Sequence, residues 1–552
     1  MKATVKIMHI SDIHADETTA DKLNLRIKTF LSDIDQYRGE IDLVVVTGDI
    51  ALSGKADQFK LAEKIVFDPL LARLQLSRNK IFFAPGNHDI DRGRISIPED
   101  VGVKKLLLEQ NDASTYFKDK TGFSRLENYF NFLEQFYSPK KNFAGKVFDI
   151  NYMPIGLGIL NSSWLCSGND DKNNLHISEY QVAEVLTNID SALLKIGIMH
   201  HPSDWFSNYE QRYVISELKR QFDIIITGHL HENVSRGEIT PQYNTILLTS
   251  PSLYNNYCDE FLGYNLYNID LSKNTLTAIY KKYMKGRNAY DRDTEYALNG
   301  EHEFELKTKS PMLFSKSILC QKINLLNTEI EKSLKSQLAL YQNLPDPILV
   351  TPKLSSLTWK SDKKISTPIT GDPTKLSAKH VFIYAPKDMG KTVLMKSSVA
   401  KINQSYFVEK SGPISAYIDL AFKDHDKNQL EEQVKDKISE TSITNHISEV
   451  HIFIDNINIK NLNQLSTLND ISEDFPQWKF IVAIENDFVM EAIRRNDKYK
   501  TWEFYEVMPW GPSRIREFTT KFFEAAGIKI DVDAAFNFIC HSLRNEGVKN
   551  FV

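Results

Sequence analysis

Short apolar runs that end in polar loops recur through the first half of the chain. Residues 6–10 read as a buried strand followed by Ser11, Asp12, Ile13 and His14. Apolar positions at helical spacing predict a helix near 20–38. A β-branched run over 41–47 then ends in Gly48 and Asp49. Residues 56–76 are helical in pattern, and the strand 81–84 leads into Pro85, Gly86, Asn87, His88 and Asp89. The same form returns at 154–160 before Asn161, at 196–199 before His200 and His201, and at 223–227 before Gly228, His229, Leu230 and His231. Strands alternating with helices imply βαβ units and a mainly parallel sheet with its polar groups at the strand ends. Late strands near 245–250, 264–270 and 275–282 are expected to finish a second sheet. The expected fold class is α/β: a two-sheet sandwich flanked by helices. Residues 100–150, with helical spacing over 123–137, read as an insertion that covers the strand ends.

The pattern changes near 290, where charged, turn-prone residues mark a boundary. Leu319, Ile323, Leu326, Ile330, Leu334, Leu338 and Tyr341 then recur at spacings of three and four, one face of a long helix. That face either covers a domain core or serves a dimer or docking contact. Residues 344–375 are rich in Pro, Lys and Ser and read as a linker with a short strand at 348–350. A second α/β pattern follows, with strands at 380–384, 450–454 and 479–484 and a helix from about 513. The expected division is a first domain at 1–295, a helical connector and linker at 296–368, a second α/β domain at 369–511 and a helical segment at 512–552.

Composition narrows the class. The chain has 552 residues, room for roughly three or four domains. Mean hydropathy is −0.35, and no window approaches the roughly 18 apolar residues of a membrane span. The first residues run straight into a strand, without the apolar core of a signal peptide. Four cysteines lie scattered, with no Cys-x-x-Cys spacing, which indicates neither a disulfide framework nor a zinc knuckle. A cytoplasmic protein without membrane contact is expected. The net charge of −5 argues against a broad electrostatic footprint for nucleic acid, although a local basic patch stays open.

The strand-end groups are Asp12, His14, Asp49, Asn87, His88, His200, His229 and His231. Carboxylate, imidazole and amide oxygen suit Mn, Fe or Zn, not a thiolate site or an all-oxygen calcium cage. On an extended backbone Asp12 and His14 point the same way and can reach one ion. Two ions need a bridging carboxylate, and Asp49 is the natural candidate. His9, His176 and His201 read as ordinary structural histidines. Tyr254, Tyr257 and Tyr264, near Lys281, Lys282, Lys285 and Arg287, suit base stacking, or else are core tyrosines beside a solvated strand end.

Asp-x-His, Gly-Asp, Gly-Asn-His-Asp, His-x-Pro and Gly-His-x-His, in that order, resemble the calcineurin-like metallophosphoesterases over roughly residues 5–285. The resemblance implies one metal held by Asp12, His14, Asp49 and His231, and another by Asp49, Asn87, His200 and His229. The pair would be Mn, with Fe, Zn or Ni as substitutes. It implies His88 as general acid for the leaving group, with Asp89 orienting it. The wording of the Asp49 and His88 motifs is closer to the bacterial phosphodiesterase and nuclease branch than to eukaryotic protein phosphatases. Phosphodiester hydrolysis on nucleic acid or nucleotides is therefore the expected activity. The alternatives are a small-nucleotide or phosphoprotein phosphatase and a non-catalytic nucleotide-sensing assembly module.

A second phosphate-site candidate lies at 385–392, between a strand and a helix. Gly390, Lys391 and Thr392 match the end of a P-loop. Backbone N–H groups would cradle phosphates, Lys391 would reach the β/γ-phosphates and Thr392 would hold Mg²⁺. Asp455, at the end of the next apolar strand, is the expected Mg²⁺ partner, so ATP with Mg²⁺ is the expected ligand. The order resembles the STAND-class P-loop NTPases, which include NACHT proteins, over about 370–525. Ala385 replaces the first loop glycine, Asp388 adds a negative charge to the loop, and Asn456 follows Asp455 where a second acid often stands. The resemblance implies a regulatory or assembly role, a partner protein as sensor, a homo-oligomer, and by domain analogy an antiphage effector.

Overall fold

The computed structural model describes residues 4–545 apart from 111–112, 138–143, 151–152, 169–170, 257–260, 272, 308–310, 343–347, 370–375, 377, 388, 410–411, 420–428, 430–431, 434–448, 458–461, 486 and 530. The chain divides into two compact units, Met1–Ile318 and Leu319–Val552.

The first unit holds two sheets. One contains β1 (Thr4–Ile10), β2 (Leu43–Val46), β3 (Ile81–Phe83), β10 (Gly263–Asp270), β11 (Thr275–Met284), β12 (Ala289–Arg292) and β13 (Glu301–Glu305), in the order β12-β11-β10-β1-β2-β3 with β13 also on β11. The other contains β4 (Gly145–Ile150), β5 (Met153–Ile159), β6 (Leu194–Ile198), β7 (Ile224–Thr227), β8 (Val234–Ile239) and β9 (Asn244–Thr249), in the order β4-β5-β6-β7-β9-β8. The site-bearing strands β1, β2 and β3 run parallel in the first sheet, and β5, β6, β7 and β9 run parallel in the second. β2 and β7 are buried at every position, which explains their unbroken apolar runs: both faces are covered.

One apolar core lies between the sheets and includes Val5, Ile7, Val45, Ile155, Ile196, Ile226, Leu248, Ile269 and Leu276. A second lies under the helices. There α1 (Ala20–Ile34) buries Leu23, Ile27, Phe30, Leu31 and Ile34 at spacings of one to four.

Two expectations for this unit change. Of the late strands, only β9 joins the second sheet; β10 pairs antiparallel with β1, β11 pairs antiparallel with β10, and both extend the first. Strand pattern says that a segment pairs, whereas the choice of sheet depends on which edge is free. The boundary also moves past 295, because β13 pairs with β11 and brings Phe304 and Leu306 into the inter-sheet core. The helix Glu127–Phe136 buries Tyr129, Phe132, Leu133 and Phe136, with Phe132 stacked on Phe59 and edge-on to Phe83. Arg125 and Asn128 reach the loops from behind: the Arg125 carbonyl accepts from Asp91 N, and Asn128 Nδ2 donates to Gly54 O.

The second unit is built on one sheet. Its strands are β14 (Leu354–Lys360), β15 (Lys363–Pro368), β16 (Val381–Tyr384), β17 (Ile414–Asp419), β18 (Val450–Ile457), β19 (Trp478–Ile484) and β20 (Glu503–Val507), in the order β15-β14-β20-β16-β19-β18-β17. The five strands from β20 to β17 are parallel, and β14 and β15 add an antiparallel edge. The expected linker thus supplies two strands, and residues 348–350 are not a strand. Its Ser and Thr sit on an edge hairpin, where one face meets solvent. The long helix Pro311–Gln342 buries Leu319, Ile323, Leu326, Ile330 and Leu334. Leu326, Ile330 and Leu334 pack into the core of this unit, so this part of the stripe covers a domain core.

Candidate functional site

All the strand-end groups of the first unit come from the carboxyl ends of parallel strands. Asp12 and His14 follow β1, Asp49 follows β2, Asn87 and His88 follow β3, His200 follows β6, and His229 and His231 follow β7. Ladder hydrogen bonds continue into the loops. Asp12 N donates to Gly48 O, Ile13 N and His14 N donate to Asp49 O, and Gly228 N donates to His200 O.

The backbone at the site is unusual. Asp12, His14, Asp49, His229 and His231 have φ of 53°, 46°, 52°, 70° and 58°. Left-handed conformations cost non-glycine residues of order 1–2 kcal/mol each and concentrate at functional sites. Asp12 and His14 therefore converge through a left-handed turn, not the extended backbone expected from their spacing.

Two clusters result. In the first, Asp12, His14, Asp49 and His231 each offer a donor atom, and all four atoms lie within 4.8 Å of one another. His231 Nε2 is 3.1 Å from Asp12 Oδ1, and His14 Nε2 is 3.9 Å from both Asp12 Oδ1 and Asp49 Oδ2. In the second, Asn87 Oδ1 is 3.0 Å from His200 Nε2 and 3.1 Å from His229 Nδ1, and those two nitrogens are 3.2 Å apart. Asp49 Oδ2 lies 3.4 Å from His200 Nε2. One carboxylate oxygen therefore faces both clusters.

The donor chemistry fits divalent metal ions. Asp12 Oδ1 is buried and makes no well-formed hydrogen bond. His200 Nδ1 lies 2.6 Å from the Thr47 carbonyl, which can only accept, so Nδ1 carries a proton and Nε2 can present a lone pair to the cluster. Burial works against charging His200, yet the Asp49 carboxylate lifts it to about 9, so the cluster demands positive charge. Burial pushes Asp12 up, but the close His231 imidazole and the charge of His200 bring it down to about 2. Gly86 and Gly48 allow the close approach. A Cβ at Gly86 would stand 2.1 Å from Asp49 Oδ1, and one at Gly48 (φ +95°) would stand 2.7 Å from His200 Nδ1.

His88 is not among the grouped donors, and its ring stands edge-on to His14 with centroids 4.8 Å apart. Its Nδ1 lies 2.8 Å from the Leu52 carbonyl, and its backbone N–H donates to Asp49 Oδ1 at 2.7 Å. The carbonyl fixes the proton on Nδ1 and leaves Nε2 for exchange. Asp89 does not touch His88 through a hydrogen bond. It accepts from Ala51 N at 2.9 Å and Gly86 N at 2.8 Å, tying the Asn87 loop to the Asp49 loop. The orienting role expected of Asp89 belongs to Leu52 O, a backbone group with no residue-type signature.

Several residues behind the site carry no motif. His9 bridges Tyr267 OH and Thr47 Oγ1 at 2.9 and 2.8 Å, and burial lowers its pKa to about 3. His201 is buried beside His200 and His229, with a nitrogen near enough to join their cluster. Its Nδ1 meets Ser162 Oγ at 2.9 Å and its Nε2 lies 3.9 Å from Cys166 Sγ, which leaves it as a wall. Trp205 stands edge-on to His229 with ring centroids 4.0 Å apart. Tyr254 and Tyr264 are buried, and Tyr264 OH bonds Asp33. They are core tyrosines, and Tyr257 lies outside the described residues.

In the second unit the loop 385–390 leaves the carboxyl end of β16 and enters the helix Lys391–Glu409. Gly390 has φ 79°. Lys391 curls back over the loop, its Nζ donating to Ala385 O and Pro386 O at 2.8 Å each, and it lies 3.8 Å from Glu485. Asp455 is buried at the end of β18 and accepts from Tyr417 OH at 3.0 Å. β19 lies between β16 and β18, so Lys391 and Asp455 sit one strand apart on the same sheet end. Asp388 lies outside the described residues.

With this geometry in view, residues 5–233 match the calcineurin-like phosphoesterase family. The matched residues all lie in the first unit. The chain is 23% identical over 242 residues to an uncharacterized metallophosphoesterase-like protein, YydB, of Bacillus subtilis (strain 168), a match covering 42% of this chain and 49% of that protein. The chain thus spans about half the length of that relative. A predicted phosphoesterase of Streptococcus pneumoniae TIGR4 is 13% identical with a TM-score of 0.23, covering 55% of this chain and 99% of that one. The ORC2 protein of Aeropyrum pernix, in its ADP form, is 13% identical with a TM-score of 0.21, covering 27% of this chain and 46% of that one. No helix among the described residues is long and apolar enough to cross a membrane.

Proposed function

We propose that the first unit is a two-metal phosphoesterase acting on phosphodiester bonds of nucleic acid or nucleotides. The observation that carries this reading is Asp49 Oδ2, which faces His14 Nε2 at 3.9 Å and His200 Nε2 at 3.4 Å. Asp12, His14, Asp49 and His231 would hold one ion, and Asp49, Asn87, His200 and His229 the other. Such a pair polarises a phosphoryl oxygen and lowers the pKa of water toward neutrality. The chain's own residues do the rest. Asp49 sets the spacing of the two sites. Thr47 O holds His200 in its ligating tautomer. His88 keeps one proton on Nδ1 toward Leu52 O and passes a second from Nε2 to the leaving oxygen.

The second unit supports nucleotide binding. β16 lies between β19 and β20, although the chain leaves it through a helix to β17 at the far edge. That makes the carboxyl end of β16 a topological switch point, the usual place for a ligand in an open parallel sheet. Gly390, Lys391, Thr392 and Asp455 gather on that end, so ATP with Mg²⁺ is the proposed ligand, with regulation or assembly of the phosphoesterase as its role. Antiphage defence is the biological setting this pairing would suit.

The test is purified protein with Mn²⁺ and, in parallel, Fe²⁺, Zn²⁺ or Ni²⁺, against single- and double-stranded DNA, RNA, cyclic nucleotides and bis-p-nitrophenyl phosphate. The Asp49→Asn/His88→Ala variant is the control. Cleavage of polynucleotide that disappears in the control supports the reading. Turnover confined to cyclic nucleotides and bis-p-nitrophenyl phosphate moves it to a small-nucleotide phosphodiesterase. Inertness with every metal, with or without ATP, overturns it.

A further inference from the structure

A cleft of about 220 Å³ opens beside the first metal cluster. Glu232 and Asn233 form part of its wall and directly follow His231, so the cleft begins within about 7 Å of chain from a candidate ligand. Pro251 and Leu262 line the opposite side. Their loop is tied to the Asp12 loop, because Leu253 N donates to Ser11 O and Tyr254 N to Asp12 O. The cleft and the metal cluster therefore share a rigid wall.

Two aromatic rings stand open at this cleft. Phe261 is 58% exposed and Tyr296 is 39% exposed. Tyr296 is fixed in place: its OH accepts from Ser235 N at 2.7 Å, and its ring sits edge-on to Tyr280 at 4.7 Å. A single exposed aromatic ring is ordinary; two lining one cleft beside a phosphate site are a stacking platform.

The polar groups exclude a second phosphate. Lys281 pairs with Asp33 at 3.1 Å and Lys282 with Glu295 at 2.5 Å, so both cations of the cleft are already neutralised. Asp293 accepts from Asn233 Nδ2 and from Tyr296 N at 3.2 Å each. Glu232 adds an exposed carboxylate at the mouth, which accepts N–H groups and repels anions. At about 220 Å³ the cleft is smaller than the roughly 300–1,000 Å³ of a pocket that encloses a whole ligand, so it takes a fragment.

We propose that the cleft between Phe261 and Tyr296 seats the flat heterocycle of the substrate, a nucleobase carrying N–H donors, next to the scissile phosphate. This deepens the phosphoesterase reading and rests on it. It selects nucleoside phosphodiesters over small alkyl or aryl esters and over polyphosphate chains.

The experiment compares wild type, Phe261→Ala and Phe261→Trp, all with Mn²⁺. KM and kcat are measured on a dinucleoside monophosphate and on methyl p-nitrophenyl phosphate, and AMP binding is measured by calorimetry. Phe261→Ala is expected to raise KM for the dinucleotide and weaken AMP by at least about 5-fold, the lower end for one lost base–aromatic stack. Methyl p-nitrophenyl phosphate should be unaffected, and Phe261→Trp should restore the dinucleotide. A wild type active on both esters, with neither KM nor AMP affinity changed in Phe261→Ala, overturns the subsite and leaves the phosphoesterase standing. A wild type inert on both esters overturns the phosphoesterase instead. The AMP titration then decides the cleft alone, and equal affinity in wild type and Phe261→Ala, or no binding by either, rejects it.

Discussion

At the residue scale, the site depends on groups that hold Asp49 and His88 in place. Gly86 packs so closely that a methyl group there would fall 2.1 Å from Asp49 Oδ1 and 2.3 Å from Asp49 N. Gly86→Ala is expected to displace the shared carboxylate. Metal analysis after dialysis should then find fewer than two ions per chain, and turnover should fall about 100-fold, the upper range for loss of a supporting contact. Two retained ions would show that Asp49 does not join the clusters. His88 makes a different prediction. His88→Ala should slow an ester with an alkoxide leaving group by about 10²- to 10⁴-fold, the usual worth of a placed general acid. A p-nitrophenolate leaving group needs no proton and should be slowed little. Equal losses on both would assign His88 to binding. The motifs made the residue types of the site legible. The left-handed turns at Asp12 and His14, the Leu52 carbonyl behind His88 and the wall formed by His201 and Trp205 were not, because backbone geometry and packing have no fixed spacing in sequence.

At the element scale, the strands that apolar runs predicted in the first unit are present, while the linker's expected strand at 348–350 is not and two others follow it; partners did not follow from pattern in either unit. β10 and β11 carry the same signal as β9 and yet belong to the other sheet. β13 has only Phe304 and Leu306 to mark it among charged neighbours. Phe304→Ala in the full chain should remove that anchor and cost the first unit about 3 kcal/mol, the low end for a buried Phe. The check is its denaturation midpoint, and an unchanged midpoint would make β13 an ornament. In the second unit His380 lies stacked between Phe480 and Trp502, and its Nδ1 accepts from Phe480 N at 3.2 Å. Burial lowers its pKa from 6.5 to about 4. Between those values the unfolded chain binds the proton and the folded chain does not, so stability falls as pH drops from 6.5 toward 4. His380→Phe is expected to flatten that part of the pH profile, measured as the midpoint of the second unit.

At the scale of the whole molecule, the first unit has two sheets and two cores, the second has one sheet and its own core, and each has its own candidate ligand. A ligand that binds only the folded form stabilises the unit that holds it, by about 2.7 kcal/mol at a hundred times its Kd. Chelation followed by Mn²⁺ should therefore shift the thermal transition of the first unit. ATP with Mg²⁺ should shift that of the second, and Lys391→Ala should abolish the second shift only. Probes are at hand in Trp164 and Trp205 for the first unit and in Trp478 and Trp502 for the second. A shift of the second unit by ATP that survives Lys391→Ala would place the nucleotide elsewhere.

The sequence by itself determined the set of strand-end donors, much of the order of strands and helices, and the change of character near residue 290. These are properties of local periodicity and of side-chain chemistry, and both are written along the chain. Tertiary structure alone decided which sheet each late strand joins, that Asp49 Oδ2 faces both clusters, and that the helix face beginning at Leu319 is buried in part against the second core. It also decided that Phe261 and Tyr296 meet at one cleft although 34 positions separate them in the chain. The physical reason is the same in each case. Free edges, shared walls and buried donors come from contacts between segments far apart in sequence, and no local pattern encodes which distant segment supplies the partner.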